Sequence, residues 1–136
     1  MYEYEIQKQI DWITLFSKHK KVKIRFINEN ILKKMSSRWE KKYIKILAWF
    51  RESSKSIYII LPEIKKNYLV LAEELNISDR ILLYIFLHEY AHYKSYIKNP
   101  SKFRYITSRE IFMYEHNERP YEKVANRFAR YYTAKL

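Results

Sequence analysis

The chain has 136 residues, 48% of them apolar and 18% aromatic, so it can bury one hydrophobic core and is not a disordered chain. Its formal net charge of +12 favours an acidic partner such as nucleic acid, a lipid surface or an acidic substrate; scattered lysines on a solvated surface are the plainer account. It has no cysteine and no glycine, which excludes disulfide scaffolds, cysteine-rich zinc fingers, thiol nucleophiles and every glycine-rich phosphate loop, and leaves positive-φ turns to Asn, Asp or a strained residue.

Residues 1–5 lack the basic and apolar regions of a signal peptide, and the longest apolar stretch, residues 81–87, is far shorter than the ~20 residues of a membrane span. A cytoplasmic location without membrane association is expected. Ile6, Ile10, Ile13, Leu15 and Phe16 fall at roughly helical spacing and predict a first amphipathic helix over 4–17. Val22, Ile24 and Phe26 alternate with Lys23 and Arg25, as in a half-buried strand. Ile31, Leu32, Met35 and Trp39 return to helical spacing. Residues 43–50 and 56–61, rich in Ile, Tyr, Trp and Phe and joined by a polar bend at 51–55, predict a β-hairpin. Pro62 can open a helix whose apolar face is Ile64, Tyr68, Leu71, Ala72 and Leu75. Ser78 or Asp79 is the expected N-cap of the next helix, which runs to Lys98 before Asn99-Pro100 ends it. A last helix starts near Pro120. A helix and strands followed by helices predict one α+β domain over 1–136.

The segment His88-Glu89-Tyr90-Ala91-His92 carries the chemistry. Residues i and i+4 share a helix face, so His88 and His92 can offer both imidazoles to one ion, and zinc suits two imidazoles, a carboxylate and a water. Glu89 lies about 100° further round the helix, too far to be a ligand and near enough to take a proton from water. The rival account is a pair of core histidines satisfied by hydrogen bonds. Thirty residues on, Glu122, Ala125, Asn126 and Ala129 fall at i, i+3, i+4 and i+7. The two alanines would let this helix come close enough for Glu122 to reach the ion, and Asn126 could hydrogen-bond a ligand. Val124, Phe128 and Tyr131 or Tyr132 are expected to pack elsewhere in the core. The plainer reading of Glu122 is a first-turn glutamate favoured by the helix dipole.

With HExxH followed by Glu122-Lys123-Val124-Ala125-Asn126-Arg127-Phe128-Ala129, the chain resembles the gluzincin metallopeptidases over residues 81–132. It looks closest to the ImmA/IrrE-type proteases and the compact minigluzincins, with Ala91 where the former often have glycine. The resemblance implies a small zincin-like fold: N-terminal helix, short β-sheet, buried HExxH helix and C-terminal glutamate-bearing helix. It implies one zinc held by His88, His92 and Glu122, Glu89 as general base, and a peptide or protein substrate, bound by addition to a sheet edge. The ImmA/IrrE-type likeness implies a protease that cuts a DNA-bound protein. The minigluzincin likeness implies a peptidase held latent by a terminal segment, here residues 1–5 or 133–136. His116 is the alternative third ligand, which would make the site resemble the SprT-like proteases; it is otherwise an oxyanion donor in the cleft or an exposed loop residue. Glu110, Glu115 and Glu118 are weaker candidates, and one of the 14 tyrosines could serve the oxyanion. The alternative from another class is a basic nucleic-acid-associated protein whose zinc site is structural.

Overall fold

The computed structural model describes residues 3–35, 47–77 and 80–136. In chain order these form α1 (Glu3–Lys20), β1 (Lys23–Ile27), α2 (Glu29–Met35), β2 (Ala48–Arg51), β3 (Ser56–Ile60), α3 (Leu61–Lys66), α4 (Tyr68–Leu75), α5 (Ile81–Lys98), α6 (Pro100–Met113), a 3-10 turn (His116–Glu118) and α7 (Pro120–Lys135). The fold is α+β, with a three-stranded mixed sheet beside a group of helices. No helix among the described residues is long and apolar enough to cross a membrane.

The expected hairpin is present: β2 pairs antiparallel with β3, Trp49 opposite Tyr58, and the two rings stack 4.7 Å apart. The part of its first strand expected at 43–46 lies outside the described residues, as do Trp39 and both expected caps, Ser78 and Asp79. β1 pairs parallel with β3, giving the order β1-β3-β2. Alternate residues of β1 and β3, such as Ile24, Ile57 and Ile59, face the core, while Lys23, Arg25 and Tyr58 share the outer face.

α5 is the centre of the core. Residues 81–87 are all buried, because α1, the sheet, α4 and α7 cover the helix from different sides. α1 buries Ile6, Gln9, Ile13 and Ser17, one stripe at 3.6-residue spacing. Leu15, expected among the apolar positions, lies about 200° round from Ile13 and is 70% exposed. Gln9 ties α1 to the start of α5. Its Oε1 accepts from the backbone N–H of Leu83 at 3.0 Å, satisfying a first-turn donor from another helix. Arg80, at the N-cap, makes no side-chain capping bond.

The helix expected after Pro62 is two helices, broken at Asn67. That side chain donates to the Glu63 carbonyl at 2.8 Å, offering the backbone a local partner that competes with a continuous helix. Without glycine, three left-handed positions fall to Lys21, Lys55 and Asn76. Lys21 and Asn76 end α1 and α4 in the same way: the next N–H bonds five residues back, Val22 to Ser17 at 2.9 Å and Ile77 to Ala72 at 3.1 Å.

Lys55, at φ 52°, closes the Glu52–Lys55 turn of the hairpin. A side chain in this region costs ~1–2 kcal/mol, of which glycine returns ~0.4–1 through its freer unfolded chain. Lys55→Gly is therefore expected to stabilise the protein by about 0.5–1 kcal/mol in urea denaturation, and Lys55→Ala to give no such gain. A Gly variant no more stable than Ala would show that the turn carries no strain.

Candidate metal centre

α5 and α7 are the most extensively packed pair of helices among the described residues. Ala125 and Ala129, 1% and 0% exposed, form the small-residue face that lets them approach. Val124 and Tyr131 are exposed rather than core, since they lie on the opposite side of α7; Tyr132, nearer the buried face, is also exposed and packs its ring on Phe128, which lies at the core margin.

The approach brings the side chains of His88, His92 and Glu122 together, with one ligand atom from each lying within 4.8 Å of the others. Nε2 of His88 is 3.1 Å and Nε2 of His92 2.5 Å from Oε1 of Glu122, with the two imidazoles nearly perpendicular. The cluster is almost closed to solvent from below: the side chains are 15%, 10% and 7% exposed. Two imidazole nitrogens and one carboxylate oxygen aimed at a common point are a donor set that a divalent transition ion such as zinc accepts, so the residues fit a metal.

Both oxygens of Glu122 are engaged, because Nε2 of His116 lies 2.8 Å from Oε2. His116 stands in the turn before α7 and does not belong to the His-His-Glu cluster, although it lines the same cleft. Glu110, Glu115 and Glu118 also stay outside the cluster. Glu110 instead accepts from the Tyr121 backbone N–H at 2.7 Å, capping the first turn of α7 where Glu122 sits. Asn126 accepts from the Tyr84 hydroxyl at 3.1 Å and lies close enough to His88 to favour its charged form.

Glu89, beside the cluster on α5, is 9% exposed. Burial pushes its carboxyl above the ordinary value, against the pull of His92 and His88 and of the Phe50 backbone N–H. Burial also works against ionised Glu122, yet hydrogen bonds from His88 and His92 prevail and hold it far below the ordinary range. For His88 burial opposes the charged form, and the contacts with Glu122 and Glu89 outweigh it and raise the pKa.

The cluster lies on the floor of a cleft of about 700 Å³. β2 forms one wall through Ala48, Trp49 and Phe50, and Phe103, Thr107 and Ile111 of α6 form another. β2 is an edge strand among the described residues. Since Leu47 O accepts from Ile60 N at 2.8 Å, Trp49 and Arg51 also form the hydrogen-bonded pairs with β3, and the N–H and C=O of Ala48 and Phe50 point away from it. Residues 3–5 and 133–136 are not among the residues lining the cleft; Thr133 is buried in α7 and its carbonyl accepts from Arg80. Two tyrosines line it: Tyr84, whose hydroxyl is given to Asn126, and Tyr121, whose ring is 5.4 Å from that of His92. Comparison with protein-family models, with curated proteins and with solved structures finds no match.

The shifts set a pH profile for the metal-free protein. Glu122, with its lowered pKa, contributes stability that is present above 4.5 and is lost as pH falls through its folded value. His88, with its raised pKa, contributes stability fully present below 6.5 and lost as pH rises through its folded value. Folding also favours protonated Glu89, a contribution present below 4.5 and lost as pH rises. The midpoint of thermal unfolding in EDTA is expected to be highest in mild acid, between 4.5 and 6.5, and to fall as pH rises beyond 6.5 through the folded value of His88. A midpoint that does not change over that range would contradict the assigned ion pairs.

Proposed function

We propose that the protein is a zinc-dependent peptidase of the gluzincin type, with His88, His92 and Glu122 as metal ligands and Glu89 as general base. The observation that carries this reading is the buried His-His-Glu cluster on the floor of an open cleft, with a second carboxylate adjoining it. Zinc bound there would polarise a carbonyl and lower the pKa of water to about 7.

The chain's own groups supply the rest. The outward N–H and C=O of Ala48 and the C=O of Phe50 suit an extended peptide laid along β2, which would pass directly over the site helix. The carboxylate of Glu89 takes a proton from the attacking water and returns it to the leaving amine nitrogen. Its buried position and raised pKa bring its proton affinity nearer the range in which one group can do both. The Phe50 amide and the packing of α5 fix where that carboxylate lies. Apolar walls exclude water from around the scissile bond.

A structural zinc site would be closed by four protein ligands, whereas this cluster has three and opens on a cleft. The catalytic reading therefore has the better support. The substrate is a peptide or protein. The net charge of +12 would suit one held on nucleic acid.

Cleavage products from a diverse peptide pool, identified by mass spectrometry, test the assignment. Zinc-loaded wild type is expected to give products that EDTA abolishes. Glu89→Gln should bind zinc as wild type does and lose ~10²–10⁴-fold in turnover. Normal turnover by a zinc-loaded Gln variant would remove Glu89 as the base; no zinc binding by wild type would remove the metal site itself.

A further inference from the structure

We propose that His116 is a positioning residue for Glu122, and that Arg119 sets it as a hydrogen-bond donor. The inference rests on the metal-site reading above and adds a part to it: a relay from guanidinium to imidazole to ligand carboxylate.

The argument starts from the two oxygens of Glu122. Oε1 faces Nε2 of His88 and His92, at 3.1 and 2.5 Å, and is the oxygen that would serve an ion shared with them. Oε2 faces away from them and lies 2.8 Å from Nε2 of His116. The contact has the distance of an ion pair without the alignment of a hydrogen bond; an ionised carboxylate only accepts, so a small turn of the ring makes it one only if the proton of His116 sits on Nε2. The other ring nitrogen decides that. Nδ1 of His116 is 3.2 Å from Nη1 of Arg119. A guanidinium has donors and no acceptor, so Nδ1 must accept and the neutral ring carries its proton on Nε2. The Arg119 bond thus leaves the proton on the ring nitrogen nearest Glu122, ready for donation to Oε2.

The local backbone holds the relay in place. The Arg119 N–H bonds the His116 carbonyl at 3.3 Å, which closes the 3-10 turn and sets the two side chains on one side of it. Nε of Arg119 donates to the Tyr114 carbonyl at 3.3 Å. Glu110 caps the same first turn of α7 from the other side. His116 itself is 66% exposed and could be solvated by water without any protein partner. Its approach to a carboxylate only 7% exposed is therefore a feature of the site and is not forced by burial of the imidazole.

The consequence concerns one torsion. The last torsion of a glutamate is broad and roughly two-fold, so a carboxylate held at one oxygen can rock. Tying Oε2 to the rim removes that freedom and keeps Oε1 towards the two imidazoles before any ion arrives. Partners of this kind are worth about 10–100-fold in metal affinity. The same role leaves His116 short of catalysis: it acts on the ligand and not on the reacting atoms.

Zinc affinity, measured by competition with a chromophoric chelator near pH 7, is the test, with unfolding midpoints in EDTA confirming that each variant is folded. His116→Ala is expected to bind zinc about 10–100-fold more weakly. His116→Gln, whose side-chain amide can donate to Oε2, should recover most of that loss, and Arg119→Ala should show a smaller loss because the ring is then free to take either tautomer. Wild-type affinity in His116→Ala would overturn the proposal and leave the metal site standing. A fall in peptide turnover with unchanged zinc affinity would also overturn it, placing His116 on the oxyanion instead. Failure of Gln to do better than Ala would exclude the donor role, and wild type that binds no zinc would end both readings together.

Discussion

A carboxylate taken out of water between two helices stays ionised only if positive or hydrogen-bond-donating groups meet it there. Glu122 sets that condition for the rest of the structure. Its partners sit on α5 and in the turn before α7, so the two helices must lie close and the turn must be placed. Closeness requires Ala125 and Ala129 at the contact. A fixed α5 requires apolar side chains all round residues 81–87, and hence a sheet, α1, α4 and α7 to cover them. Desolvating an unpaired charge costs several kcal/mol, so the polar and apolar parts of the core depend on each other.

Much of this was legible in the sequence where the information is local. Spacing of i and i+4 puts His88 and His92 on one face whatever surrounds them. The small residues at 125 and 129 mark a face built for close approach, and this distinguishes Glu122 from Glu110, Glu115 and Glu118. The contacts that arm the site were not legible. Gln9 reaches Leu83 across 74 positions, and nothing in a buried glutamine's neighbours announces which helix end it will cap. Glu110 and His116 act through the path of the chain between α6 and α7, not through any repeat. The parallel pairing of β1 with β3 depends likewise on a crossover whose direction no alternation records.

The same limit explains the smaller differences. Val124 and Tyr131 are large and apolar, and hydrophobicity alone would bury them, but α7 has one neighbour-facing side and they are on the other. Exposure of some apolar surface is ordinary for a folded chain, so composition cannot decide such positions. Asn67 shows the converse: a single polar side chain divides a helix that its apolar spacing would have continued. The missing glycines are legible in another sense. Any left-handed position must then carry a side chain, and among the described residues two lysines and an asparagine do.

α6 differs from the other long helices among the described residues in burying no side chain at all, although Phe103, Thr107 and Ile111 face the cleft. Its polar ties are Arg104 to the Tyr96 hydroxyl at 2.9 Å and to Glu52 at 3.4 Å, and Glu110 to the start of α7, and Phe103 adds ring contacts with Phe50, Tyr96 and His92. With no side chain fully buried, α6 commits less apolar surface to the core than α5, and local opening there costs less. The atoms of the His-His-Glu cluster thus belong to the most closely packed pair of helices among the described residues. One wall of the cavity above them belongs to a helix with no buried side chain, so a change of shape in that wall need not disturb the cluster.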